Sequence, residues 1–259
     1  MDVPSSRRRH AARLAGALLA AALVAGGAGY LWLDSQRPAA TTAAAPAAVA
    51  PAPVASVAPA PAPARPRRAE FGTVVPGADV RRVADWAVAS ADNDRRPFAI
   101  VDKTQALVYV FDPAGRLIAH STILIGLARG DDSEPGIGDK PIAAIRPDER
   151  TTPAGRFDAE PGKNLGGDNV IWVDYDAAVS MHAVRPIVAS EHRLERMKSP
   201  DPAQHRISYG CINLPKAFFT EVAWPRFSTA GGMIYVLPET RALADVFPAL
   251  RGTPAPSAG

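Results

Sequence analysis

Residues 14–33 constrain this chain more than any other stretch, because LAGALLAAALVAGGAGYLWL is twenty residues long and carries no charge. A run of about 20 apolar residues is long enough to cross a bilayer as one helix. Arg7, Arg8, Arg9 and Arg13 precede it, and Tyr30 and Trp32 close it before Asp34. Basic residues stay on the cytoplasmic side and aromatic rings favour the interface. The expected order is therefore a cytoplasmic basic tail (1–13), a transmembrane anchor (14–33) and an exported remainder. A cleaved signal sequence is the alternative, with Ala25-Gly26-Gly27 as a small-residue cleavage site. The anchor is favoured because the run exceeds the signal core of roughly 7 to 15 residues. No cysteine stands next to it to carry a lipoprotein lipid.

Residues 34–70 are dominated by Ala and Pro, have neither a helical nor a strand period, and cannot bury a core. Repeated Ala-Pro steps favour an extended path of about 3.1 Å per residue, so this segment reads as a disordered spacer. Charge divides at its end. Residues 1–70 hold eight Arg or Lys against three acids, and residues 71–259 hold twenty-one against twenty-three. The basic balance thus belongs to the N-terminal part, and the folded part has no basic field of the kind nucleic acid requires. No nucleic-acid partner is expected.

About 190 residues remain, enough for one domain with a real core. Val80, Val83, Ala84, Ala87 and Val88 make a helical stripe that Asp79 is placed to cap, so 71–97 reads as a packing helix segment. The period then changes to that of strands. Runs at 98–101, 106–111 and 117–125 form a meander, followed by a long Gly- and charge-rich loop at 126–152. Further strands are expected at 156–159, 170–174, 179–184 and 233–237, with one clear helix at 215–224. The fold class is mainly β with a few helices. No βαβ alternation or Gly-x-Gly-x-x-Gly appears.

Cys211 is the one cysteine of the chain. Its bland reading is a small buried hydrophobe; in an exported chain a lone thiol reads better as a nucleophile. Pro215 opens the expected helix just beyond it, and a nearby helix N-terminus would favour thiolate. Ser208, Tyr209 and Gly210 form a short turn whose amides, with that of Cys211, could converge as an oxyanion hole. A base is also needed. His182 sits in an expected strand, where the carbonyl of Ala183 could hold its second ring nitrogen. His205 is the alternate base, while His10 lies in the tail, His120 ends a pairing strand and His192 lies in a polar loop.

These residues resemble the L,D-transpeptidase catalytic domain, a family that cross-links or trims peptidoglycan. The resemblance spans roughly 98–239 and rests on AIVDKTQALVYV (99–110), TPAGRF (152–157), Met181-His182 and Ser208-Tyr209-Gly210-Cys211-Ile212-Asn213. It implies a β-sandwich catalytic domain at 98–239 with a C-terminal tail at 240–259. In it Cys211 would be the nucleophile, His182 the general base and the Ala183 carbonyl its orienter. The amides from Tyr209 through Gly210 to Cys211 would form the oxyanion hole, and Arg206, Ser208 and Asn213 would shape the substrate site. The implied chemistry uses no metal and no cofactor. Its partners are peptidoglycan stem peptides and, through 14–33, the inner membrane, with the domain facing the periplasm. Cell-wall and cell-shape roles and carbapenem sensitivity follow from the same likeness. Two departures stand out. Tyr209 replaces the usual His, and twenty-eight residues separate His182 from Cys211, with the excess placed in a loop at 188–205 that could lid the site. A hydrolase on the same scaffold, trimming stems or cutting protein–peptidoglycan links, is the second reading. A non-catalytic peptidoglycan-binding module is the third.

Overall fold

Strand β1 (Phe98–Asp102) is buried at all five positions because both of its faces are covered. Phe98 and Ile100 enter one core while Ala99 and Val101 enter another, as the period-two geometry of a strand demands. Strands β2 (Leu107–Phe111) and β10 (Gly232–Val236) do the same, with Val108, Val110, Ile234 and Val236 on one side and Tyr109, Phe111, Met233 and Tyr235 on the other. Near-continuous apolar runs are the expected result of burial on both sides.

The computed structural model describes residues 67–252. The expected cytoplasmic tail, the apolar run 14–33 and nearly all of the Pro/Ala segment lie outside the described residues. Among those described, no helix is long and apolar enough to cross a membrane.

The remaining strands are β3 (Leu117–Thr122), β4 (Ile125–Gly126), β5 (Gly155–Lys163), β6 (Asn169–Asp174), β7 (Val179–Ala183), β8 (Arg206–Ser208) and β9 (Ile212–Leu214). Eight of the ten form one mixed sheet in the order β3-β2-β1-β10-β5-β6-β7-β9, and β4 pairs with β8. β5 is the bend. Its residues up to Ala159 pair with β10, and those from Glu160 pair with β6. The inner core draws on both halves, packing Val108 and Ile234 in one cluster with Ile171, Met181 and Ile212. The expected sandwich is therefore one long sheet folded over on itself rather than two separate sheets.

Helix α1 (Ala78–Ser90) covers the outer face with Val80, Val83, Ala84, Ala87 and Val88. Gly77 occupies its N-cap position without a side-chain bond, so Asp79 is not the cap. It lies in the first turn, where a carboxylate suits the helix dipole. The span 240–259 is not simply a tail. Leu243, Phe247 and Leu250 are buried in the outer core, and the Arg82 guanidinium donates to the Leu250 carbonyl at 2.8 Å. An apolar spacing of four and three was enough to fold this segment against α1. At the other end Ala69 is buried and its amide donates to Asp85 at 2.9 Å, so packing begins inside the expected linker.

The expected helix at 215–224 runs further, as α-helix at Lys216–Phe218, π-helix at Phe219–Ala223 and α-helix at Trp224–Phe227. Pro225 has no N–H to give the Glu221 carbonyl, which in an α-helix would be its acceptor. Arg226 donates to that carbonyl instead at 2.9 Å, and the π turn makes room for the ring.

Candidate active site

Strand parity puts the thiol and the imidazole on one face. β7 and β9 are parallel neighbours, with Met181 opposite Ile212 and His182 opposite Asn213. Val179, Met181, Ile212 and Leu214 point into the inner core, so Ser180, His182, Cys211 and Asn213 take the other side. Parallel neighbours need a crossover. Residues 184–211 supply it, and they are ordered into short helical turns at Ala189–Glu191, Arg193–Arg196 and Pro202–His205.

The His182 Nδ1 lies 2.8 Å from the Ala183 carbonyl oxygen. A carbonyl cannot donate, so Nδ1 carries the proton and Nε2 is the basic nitrogen. Burial pushes the Cys211 thiol up, but hydrogen bonding and charge from His182, with the amide and hydroxyl of Ser180, outweigh it and bring the thiol below its ordinary value. For His182, burial works downward, and the Cys211 hydrogen bond and charge, followed by the Ala183 carbonyl, carry the ring above its ordinary value. The Ser180 Oγ and the Ala178 carbonyl each stand 3.7 Å from the sulfur. This is a thiol–imidazole pair polarised toward thiolate and imidazolium.

The causes that lower the thiol are the His182 ring and Ser180. In the chain β9 stands between Cys211 and the helix that begins at Lys216. The turn before Cys211 is tightly held. Gly210 donates its N–H to Ser208 Oγ at 3.1 Å, and the Ser208 hydroxyl donates to the Cys211 carbonyl at 2.6 Å. The Gly210 amide is thereby committed within the turn, leaving the amides of Tyr209 and Cys211 as the candidates for an oxyanion. Gly210 itself has φ +125, and a Cβ there would sit 2.8 Å from the Thr151 carbonyl oxygen, so only glycine fits this close approach.

A cleft of about 690 Å³ opens over Cys211, His182, Ser208, Tyr209 and Asn213, and its wall comes from the 137–145 part of the long loop and from Ile187, Val188, Glu191 and Arg193. A second cleft of about 690 Å³, with Lys163, Lys216 and Thr220 in its wall, shares His182, Arg185 and Ile187 with the first. His182 therefore faces two openings. Asn213 is buried; its Oδ1 accepts from Arg193 at 2.6 Å and its Nδ2 donates to the Cys211 carbonyl at 3.2 Å. Tyr209 is exposed at the rim with the Arg150 guanidinium 3.9 Å above its ring centre.

Two expected site residues are elsewhere. Arg206 is buried, pairs with Glu239 and donates to the carbonyls of Gly126 and Ala128 at 3.3 and 3.1 Å. It braces the loop and is absent from the cleft wall, because its neighbour Glu239 needs a cation. His205, the alternate base, is 2% exposed with its ring nitrogens 2.7 and 3.0 Å from the carbonyls of Ile123 and Ser199, a structural placement. Sequence reasoning missed Arg193, which lies in a stretch without period, and Ser180, whose signal was its place two residues before His182. Among the described residues no group of three or more His, Cys, Asp or Glu side chains is arranged to hold a metal ion.

No family model matches the sequence, and no curated protein does. Among solved structures the chain is similar to the catalytic domain of an L,D-transpeptidase from Enterococcus faecium, with 18% identity over 55% of this chain and 98% of that one and a TM-score of 0.31. It is also similar to the helical cell shape determining protein of Campylobacter jejuni, at 16% identity over 56% of this chain, with a TM-score of 0.36. The chain spans about half of that protein, 49% of its length. An L,D-transpeptidase from Mycobacterium smegmatis matches at 16% identity over 54% of this chain and 58% of that one, with a TM-score of 0.31. The Enterococcus faecium and Mycobacterium smegmatis proteins carry the name of the family that the motifs resemble. Likeness at such TM-scores carries no weight by itself, so the functional reading rests on the geometry of the site.

Proposed function

We propose that this chain is a cysteine acyltransferase of the L,D-transpeptidase type acting on peptidoglycan stem peptides. The observation that carries the reading is geometric: paired strands β7 and β9 bring His182 and Cys211 to one face, and the Ala183 carbonyl holds the His182 Nδ1 so that Nε2 is left as the basic nitrogen. In the proposed reaction the Cys211 sulfur attacks the carbonyl carbon between the L-centre of a diamino acid and the terminal D-Ala of a tetrapeptide. The oxyanion forms against the amides of Tyr209 and Cys211. His182 passes its proton to the departing amine of D-Ala, which leaves a thioester on Cys211. An amine of a second stem attacks that thioester, gives its proton to His182 and expels the thiolate. The two clefts that meet at His182 support separate approaches for donor and acceptor, since one imidazole has to serve both half-reactions.

Residues 14–33 would anchor the chain in the inner membrane and 34–70 would hold the domain on the periplasmic side; a periplasm-dependent reporter fused to the C-terminus should be active, and a silent one contradicts export. The activity is tested by incubating the full-length protein with disaccharide-tetrapeptides and identifying products by mass. A cross-linked dimer with loss of one D-Ala is expected. Tripeptide alone means that water resolves the thioester and the enzyme is a carboxypeptidase. Neither product from folded protein supports the non-catalytic module.

A further inference from the structure

We infer that Thr152 is a positioning residue that aims the Cys211 amide at the oxyanion by holding the Gly210 carbonyl, an assignment that rests on the acyl-transfer reading above. Thr152 is 2% exposed and does not line the cleft. Its Oγ1 accepts from the Gly126 N–H at 2.8 Å and lies 2.8 Å from the Gly210 carbonyl oxygen. The Gly126 amide can only donate, so the single hydroxyl proton of Thr152 goes to Gly210. In a planar trans peptide the carbonyl and the following N–H point opposite ways. Tying the Gly210 oxygen to the buried Thr152 therefore turns the Cys211 N–H away from Thr152, toward the face that carries the sulfur.

Such a tie is needed because of the residue it holds. Gly210, at φ +125, has the backbone freedom to let the 210–211 peptide flip. A flipped peptide would present a carbonyl oxygen where the oxyanion develops, replacing attraction by repulsion. The other bonds of the turn act on either side of that peptide: the Gly210 N–H is held by Ser208 and the Cys211 carbonyl by Ser208 and Asn213, so neither fixes the peptide between them. Thr152 is itself anchored from below, where Lys103 Nζ donates to its carbonyl at 3.0 Å.

The test compares two reactions of the same thiol in Thr152→Val and Thr152→Ser full-length protein. Acylation by a carbapenem passes through an oxyanion, whereas alkylation by iodoacetamide at a saturated carbon does not. Thr152→Val should acylate about a hundredfold more slowly or worse, the scale for losing one oxyanion donor. Its alkylation rate and pH midpoint should match wild type, and Thr152→Ser should restore acylation. A thermal melt checks the fold, and Thr152→Ala provides a second variant should the valine disturb packing. Acylation by Thr152→Val within about threefold of wild type, or alkylation that falls in step with acylation, overturns the inference. Wild-type protein that alkylates but never acylates sinks the functional reading itself, and this assignment with it.

Discussion

Replacing Lys103 by Met tests the cluster beneath the turn that precedes Cys211. Lys103 is 1% exposed, and its Nζ donates to the carbonyls of Gly130 and Thr152 at 2.5 and 3.0 Å and to Asp131 at 2.8 Å, with Glu239 at 3.7 Å. Asp131 in turn accepts from the amides of Glu239, Thr240 and Arg241. Burial pushes the Asp131 carboxyl up, but Lys103, Thr240 and these amides overcome it and hold it far below the usual carboxylate range. Met keeps the stem and removes the charge, taking from buried Asp131 its cation while Glu239 keeps Arg206, and taking from the Gly130 and Thr152 carbonyls their donor. Breaking a buried pair this way costs about 3 to 5 kcal/mol. For a domain of this size each kcal/mol moves Tm by about 2 to 4 °C, so the melt at pH 7 should fall by roughly 6 to 20 °C. The pH dependence has a fixed sign. Asp131 is depressed in the folded state, so its stabilisation is present above its unfolded pKa of about 4 and is lost as pH falls through the lower folded value. The gap between wild type and Lys103→Met, followed by circular dichroism, should therefore narrow below about pH 4. A gap under about 1 kcal/mol at pH 7, or one that does not shrink in acid, refutes the pairing argument.

Two further outcomes follow from the pair and its rim. In His182→Ala the thiol keeps its burial and loses the ring that pulls it down, so the midpoint of its iodoacetamide alkylation profile should move to higher pH, and carbapenem acylation should drop about a hundredfold or more; an unmoved midpoint contradicts the polarised pair. Tyr209→Phe keeps the ring beneath Arg150 and should acylate within a few-fold of wild type, while Tyr209→Ala loses a contact worth about 0.5 to 2 kcal/mol and should melt a few degrees lower. A collapse of Tyr209→Phe to the level of His182→Ala would give the phenol a part in proton transfer.

Where the sequence repeats a period over many residues, the fold was legible. The α1 stripe of Val80, Val83, Ala84, Ala87 and Val88 is buried as read, and the meander from β1 to β3 lies where its apolar runs placed it. β8 and β9 were missed because three residues cannot show a period, although β9 sets the side on which Cys211 emerges. The juxtaposition of His182 and the thiol was read from residue types and from the motifs. What lay beyond sequence was the routing of buried charge: Arg206 pairs with Glu239, thirty-three residues away, and Thr152 reaches Gly210 across fifty-eight. Neither separation leaves a local pattern to read. The ordered crossover is similar, since Arg193 reaches Asn213 from a segment chosen by tertiary contact rather than by propensity.

In the proposed reaction Cys211, activated by His182, forms the acyl-enzyme. Intact-protein mass spectrometry after exposure of the full-length protein to a carbapenem tests it most directly. Trypsin cuts after Arg206 and Lys216, so residues 207–216 isolate the thiol on one peptide. One adduct per chain is expected, carried on that peptide, absent from Cys211→Ala and formed far more slowly in His182→Ala. Folded wild-type protein that takes no adduct, or a Cys211→Ala variant that still does, contradicts it.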